Sequence, residues 1–392
     1  MKLKLVLSIF LLFVSQVWIG YTPSVDAQSI SYFPDERWTS TSPEDQGMRS
    51  SVLDDMMQFI EDSEAAIKGL VITRNGYIVE EAYWDYNTEN STRHIFSCTK
   101  SFTGALIGVA IKEGFIDNVS QKVLDFFPGM TIENMDSRKE SLTIEHLLTM
   151  THGLDWNEWN ISYAHPDNMY NQMFGFGVNS VQFFLSLPTV YDPGEHWVYT
   201  TGASHVLSAI IQEATGMTTY DFANQYLFSP LNMTIGSWGR DNQGIYDGGT
   251  LLYVTPRTMA KLGLLYLNNG TWNGHEIMTE EYVTQSFYPH ANAALLASNY
   301  GYQWWIDIDR GLFSAIGSEG QYIHVLPDYN IVISIAASAD EVGEDISEDI
   351  LDFIRAAILV RDSESFDLLA IIGIGITTLV IVAVVLIYKR QR

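Results

Sequence analysis

The chain of 392 residues contains one cysteine, Cys98. That excludes an intramolecular disulfide framework and any zinc site built on cysteine pairs. Basic residues are scarce: Lys and Arg total 21 against 47 Asp and Glu, a formal net charge of −26. Such a chain cannot offset phosphate repulsion, so nucleic acid is not an expected partner. Internal repeats and low-complexity linkers are absent, so no repeat array is expected. His94, His146, His152 and His165 lack the spacing of a metal-binding helix or loop, and no metal or other cofactor is expected. Apolar material, by contrast, is plentiful. At 47% hydrophobic and 13% aromatic residues, the chain can bury a large core, which excludes disorder as its main state.

The two ends carry targeting signals. Lys2 and Lys4 precede an apolar run from Leu5 to Ile19, and Val25-Asp26-Ala27 supplies a small residue at the exit. This is the pattern of a secretory signal peptide spanning 1–27; a buried strand or an uncleaved anchor is the alternative. Leu368 to Tyr388 is a run of 21 residues without a charge, and about 20 residues of helix cross the hydrocarbon of a bilayer. Lys389, Arg390 and Arg392 follow it, which assigns the 389–392 tail to the cytoplasm by the positive-inside rule. A buried core helix is the competing assignment for this run. Together the ends predict an exported domain at 28–366, held to the cell membrane by a single C-terminal helix at 367–388. Counted over about 28–367, the exported part lacks five basic residues (Lys2, Lys4, Lys389, Arg390, Arg392) and one acid (Asp26), which leaves 16 against 46. Five Asn-x-Ser/Thr sequons, at Asn90, Asn118, Asn160, Asn232 and Asn269, matter only in a host that glycosylates exported chains.

Between the ends, periodicity outlines the fold. Ser51 to Ile60 has apolar residues at helical spacing. Leu70 to Arg74 and Tyr77 to Glu80 flank Asn75-Gly76, a strong hairpin signal. Gln303 to Ile308, Leu312 to Ile316, Tyr322 to Leu326 and Ile331 to Ala336 read as strands, and Asp345 to Val360 as an amphipathic helix. Strands at both ends around a mostly helical middle predict an α+β architecture. One antiparallel sheet would be assembled from about 35–114 and 246–360, with a helical insertion at about 115–245.

One local pattern carries chemistry. Ser97 and Lys100 lie three residues apart at the start of an apolar helix running to about Lys112, so both occupy one face of its first turn. A serine hydroxyl becomes a competent nucleophile when a neighbouring base takes its proton, and a lysine with a lowered pKa can be that base. The helix start also offers free N–H groups for an oxyanion. The structural alternative is a capping serine followed by a solvated lysine. Cys98 is a rival nucleophile by proximity alone, but the adjacent helical position points about 100° away, which favours a buried thiol.

Several further segments, in order, resemble the serine β-lactamase and penicillin-recognising superfamily, and within it the class C-like branch of esterases and 6-aminohexanoate-dimer hydrolases. These are Trp38 to Met48, Phe96 to Gly108, Leu142 to Thr149 with Gly153-Leu154, Pro193-Gly194 to Tyr199, Pro230 to Met233, and Gly248-Gly249 through Asn273-Gly274. The resemblance spans most of 38–340. It implies a β-lactamase/transpeptidase-like fold in which Ser97 is the nucleophile, Lys100 its activating partner and Tyr199 a proton relay; alone, Tyr199 would read as a core aromatic. Two departures bear on substrate. The family's Tyr-x-Asn reads Tyr199-Thr200-Thr201, and the Lys-Thr-Gly strand is replaced by Ala315-Ile316-Gly317-Ser318-Glu319-Gly320-Gln321. Thr201, Gly317, Ser318 and Gly320 are therefore the expected substrate and oxyanion region, without a basic partner for a substrate carboxylate. His152 is expected to be a loop residue, and Trp304-Trp305 core and pocket wall.

The expected function is an extracytoplasmic, membrane-anchored serine hydrolase acting through an acyl-enzyme on a small-molecule or peptide-like ester or amide. The alternatives are a non-catalytic binding or sensor domain, a structural surface protein, and a true β-lactamase or D-peptidase.

Overall fold

The computed structural model describes residues 32–34, 37–293, 298–338 and 343–359; the signal-peptide and membrane-helix assignments, at 1–27 and 367–388, lie outside them. Among the described residues no helix is long and apolar enough to cross a membrane.

An eight-stranded antiparallel sheet organises the molecule. Its strands are β1 (Ile67–Arg74), β2 (Tyr77–Tyr83), β8 (Ala291–Ala293), β9 (Ser298–Tyr300), β10 (Trp305–Asp307), β11 (Leu312–Gly317), β12 (Gln321–Leu326) and β13 (Ile331–Ala337). Their order is β2-β1-β13-β12-β11-β10-β9-β8. The two chain ends meet where β1 pairs with β13, Leu70 opposite Ile335 and Ile72 opposite Ile333. The β1–β2 hairpin turns on Asn75 at φ 53° and Gly76 at φ 89°, the two left-handed residues of a type I′ turn.

The period of two along these strands serves two cores. Leu70 and Ile72 of β1, with Ile331, Ile333 and Ile335 of β13, pack under helices α1 (Ser50–Asp62) and α5 (Ser347–Ala357). Val71, Val332 and Ala336 face the other way, into the core shared by α2 (Cys98–Lys112), α3 (Thr201–Thr215) and α4 (Pro256–Leu267). Helix α2 is buried at every position from Cys98 to Ala110. That follows from its place between the sheet and the helices of the central part of the chain, and an amphipathic sequence would not survive there.

Residues 115–245 carry α3 and short helices at Ile144–Leu148, Met169–Met173, Ser180–Leu185 and Thr219–Ala223. Two details differ from the sequence expectation. Apart from a two-stranded hairpin of β6 (Thr271–Trp272) and β7 (His275–Glu276), a small second sheet, β3 (Arg93–His94), β5 (Leu252–Val254) and β4 (Ile235–Trp238), joins the two parts of the chain. Its strands of two to four residues are too short to show a period. The strand expected from Gln303 begins only at Trp305, because Gln303 is left-handed at φ 64° and buried. Its side-chain amide donates to the carbonyls of Leu147 and Leu148 and accepts from the Ser204 hydroxyl, so it pins three segments instead of extending a ladder.

Candidate active site

Ser97 stands at the N-terminal cap of α2, but its side chain makes no capping bond. Phe96, just before it, is left-handed at φ 45°. A bulky residue in that region costs about 1–3 kcal/mol and needs surrounding structure to hold it. The turn therefore aims the Ser97 hydroxyl into a cavity of about 380 Å3 and away from its own helix. Lys100 is 2% exposed, which removes the alternative of a solvated lysine. Its ammonium position is fixed by three acceptors: Ser97 Oγ at 3.1 Å, Thr201 Oγ1 at 3.0 Å and the Gly249 carbonyl at 2.8 Å. Burial lowers its pKa from 10.5 to about 8, with the charges of Glu158 and then Asp247 pulling the other way. An amine so placed is a usable base near neutral pH.

Tyr199, 8% exposed, brings its ring face to 4.9 Å from Lys100 Nζ. Its ring stacks on Trp159 at 4.7 Å and on Trp305 at 5.9 Å, both nearly parallel to it. Burial, reinforced by the Glu158 charge, drives the phenol pKa far above its usual value, while a hydrogen bond with Ser97 works against that rise. Tyr199 is thus a neutral phenol beside the serine hydroxyl, and among the described residues Lys100 is the amine within hydrogen-bonding distance of that hydroxyl.

The third expected segment closes the cavity. Gly317 ends β11 against the first turn of α2: a Cβ there would lie 2.4 Å from the Ile95 carbonyl oxygen and 3.3 Å from the Cys98 nitrogen. Only glycine permits this approach. Gly317, Ser318 and Gly320 line the cavity with Ser97, Tyr199 and Trp305, and Glu319 and Gly320, at φ 58° and 79°, form the turn into β12. Thr201 does not stand with them. Its hydroxyl accepts from Lys100 and donates to Glu158 Oε1 at 2.9 Å, and it is buried and not among the residues that line the cavity, so its proton is committed to Glu158 and not to a substrate. Trp305 forms cavity wall and Trp304 core.

Cys98 is fully buried, with its thiol directed to the Gln321 carbonyl and its pKa pushed up by burial; it is no rival to Ser97. His152 is buried in its loop. Its Nδ1 accepts from the Leu154 N–H at 3.0 Å and its Nε2 meets Thr200 Oγ1 at 2.8 Å, and burial lowers its pKa to about 3. It braces the backbone next to Tyr199 as a neutral ring. Among the described residues no group of three His, Cys, Asp or Glu side chains is arranged to hold a metal ion.

Two acids went unrecognised in the sequence. Glu158 is 1% exposed and bonds Thr201. Asp247, fully buried, accepts from the N–H groups of Gly249 at 2.9 Å and Thr250 at 3.1 Å, which shapes the turn that presents the Gly249 carbonyl to Lys100. Nothing in the local pattern marks Glu158, whereas Asp247 adjoins the Gly248-Gly249 pair already noted. The cavity also has an acidic side, Glu319, Glu344 and Asp345, and no Lys or Arg among its described lining residues.

A Ser-x-x-Lys pair at the start of a central helix, its lysine buried, faced by a tyrosine and closed by the end of an interior strand, defines a serine hydrolase of the penicillin-recognising fold. The Beta-lactamase family model matches residues 37–356, and the chain belongs to that family. It is 23% identical over 304 residues to the 6-aminohexanoate-dimer hydrolase of Paenarthrobacter ureafaciens, covering 72% of this chain and 74% of that one. Among solved structures it is similar to EstCE1, a hydrolase with promiscuous acyltransferase activity, with a TM-score of 0.66, 15% identity, and coverage of 81% of this chain and 100% of that one. It is also similar to a penicillin-binding protein from Bacillus halodurans, with a TM-score of 0.58, 18% identity and coverage of 78% and 99%.

Proposed function

We propose that the protein cleaves a small ester or amide through an acyl-enzyme on Ser97, with Lys100 as general base and Tyr199 as proton relay. The observation that carries this reading is the 3.1 Å contact between Lys100 Nζ and Ser97 Oγ in a site that lowers the lysine pKa. The neutral amine takes the hydroxyl proton as Oγ bonds to the substrate carbonyl carbon, and the carbonyl electron pair moves onto oxygen. The backbone at Ser97 and Ser318 flanks that oxygen and supplies its N–H donors. Collapse of the intermediate breaks the bond to the leaving group, which takes a proton through the Tyr199 phenol. The Lys100 ammonium replaces the proton that Tyr199 gave up; water then attacks the acyl carbon as Lys100 accepts its proton, the acyl C–Oγ bond breaks, and that proton returns to Ser97 as the acid leaves. Incubation with a fluorophosphonate and measurement of intact mass tests this: one adduct on Ser97, absent in Ser97→Ala, is expected. A folded wild-type protein that takes no label refutes it and leaves the binding-domain alternative.

The substrate class follows from charge. A β-lactam or a D-peptide end presents a carboxylate, and this cavity offers carboxylates and no basic side chain on its described walls. Esters and amides without an anionic group fit it better. The relative's printed name, 6-aminohexanoate-dimer hydrolase, denotes a small amide that ends in a carboxylate as well as an amine, so it supports the amide reading and not the exclusion of anionic groups.

The domain is proposed to face outward from the cell membrane, on the support of the 1–27 and 367–388 sequence patterns. Protease added to intact cells should then digest the domain and leave a small membrane fragment; full protection until lysis refutes the arrangement.

A further inference from the structure

We propose that Glu158 is a positioning residue for Lys100, so that the loop forming the aromatic wall of the cavity also sets the basicity of the catalytic lysine. This rests on the reading of Ser97 and Lys100 as the reacting pair. Among the described residues Glu158 accepts four hydrogen bonds, and none comes from a cation. Oε2 accepts from the Thr201 N–H and Trp156 Nε1, both at 2.9 Å. Oε1 accepts from the Thr201 hydroxyl at 2.9 Å and the Tyr163 hydroxyl at 2.8 Å.

A carboxylate buried among neutral donors is expensive unless a positive charge lies near. The charge available is Lys100, one hydroxyl away. Because Thr201 gives its proton to Glu158, its oxygen is left with lone pairs for Lys100, and the two bonds polarise in the same direction. Glu158 thus fixes the Thr201 rotamer and adds negative potential at the amine. The groups facing Lys100 are Glu158, Asp247, Cys98 and the Tyr199 ring. Asp247 acts through the Gly249 turn and Cys98 is a neutral thiol, so of the two carboxylates named it is Glu158 that belongs to the loop carrying Trp159 and Tyr163. The neighbouring Trp159 stacks on Tyr199, Tyr163 lines the cavity, and Asn168 anchors the loop by donating to the Glu158 carbonyl at 2.8 Å.

The sign of the effect is set by electrostatics. The carboxylate favours the ammonium form, so removing its charge lowers the lysine pKa and moves the rise of reactivity with pH to lower pH. A residue that only anchored the loop would reduce reactivity equally at every pH.

The experiment measures the rate of fluorophosphonate labelling of the full chain from pH 5 to 10. Wild type, Glu158→Gln, Thr201→Val and Thr201→Ser are compared, with thermal unfolding as the check on folding. Glu158→Gln should shift the acidic limb down by about 1 pH unit and lower the plateau roughly tenfold. Thr201→Val should shift it in the same direction, and Thr201→Ser should restore the wild-type limb. A limb that stays at the wild-type pH in folded Glu158→Gln overturns the proposal; if that variant does not fold, an unshifted limb in Thr201→Val overturns it. Absence of labelling in wild type instead refutes the hydrolase reading and is distinguishable from either result.

Discussion

Replacing Lys100 by Met separates what the buried amine does for chemistry from what it costs the fold. The folded-state pKa of about 8, against 10.5 in water, is caused first by burial. That depression corresponds to about 3 kcal/mol of penalty at neutral pH, where the unfolded chain carries the ammonium fully hydrated. Between pH 8 and 10.5 the unfolded chain binds more protons at this position than the folded one. Wild-type stability from this group therefore rises with pH through that window and is lowest below it. Methionine fills a similar volume without charge, but leaves the Gly249 carbonyl and Ser97 hydroxyl without their donor, a loss of roughly 1–2 kcal/mol. The net expectation at pH 7 is that Lys100→Met is more stable by about 1–2 kcal/mol, or about 2 °C in Tm for a domain of this length. At pH 10.5 the sign should reverse, while turnover falls by several orders of magnitude throughout. Thermal unfolding of both proteins from pH 7 to 10.5 provides the assay, and taking their difference cancels every other titrating group. A difference in Tm that stays constant across that range would show that Lys100 does not carry a depressed pKa, and the argument for it as the base would fail with it.

Gly249→Ala would place a Cβ 2.6 Å from Thr201 Cγ2 and 3.3 Å from Lys100 Nζ; we expect a loss of about 1–3 kcal/mol and at least a tenfold fall in kcat, and wild-type kcat in a folded variant would contradict the placement of Lys100. With p-nitrophenyl esters, nitrocefin and D-amino-acid amides compared under matched conditions, a neutral short-chain ester should be turned over fastest. Faster hydrolysis of nitrocefin than of any simple ester would rule out the charge argument drawn from Glu319, Glu344 and Asp345.

Local rules made much of the architecture legible. Asn75-Gly76 dictates a hairpin because both positions need left-handed backbone, and the three-residue spacing of Ser97 and Lys100 puts them on one helical face whatever surrounds them. Short apolar runs bounded by turn signals marked β1, β11, β12 and β13, although not which of them would pair. The antiparallel α+β sheet and the family were readable because several segments occur in a fixed order, and Tyr199 became a candidate through that order and not through its own neighbours.

What lay beyond the sequence depended on contacts between distant segments. Whether Lys100 is a solvated lysine or a buried base is decided by Thr201 and Gly249, more than a hundred residues further along the chain. Thr201 read as a substrate-facing replacement for an amide; tertiary packing turned its hydroxyl toward Lys100. Glu158 is one of 47 acids, and no composition or spacing separates a buried carboxylate from a solvated one. Its role exists only because the Trp156–Trp159 loop folds against the start of α3. Local sequence specifies dihedral preferences and facing over a turn or two, whereas desolvation and charge proximity, which set the pKa of Lys100, are properties of the packed interior.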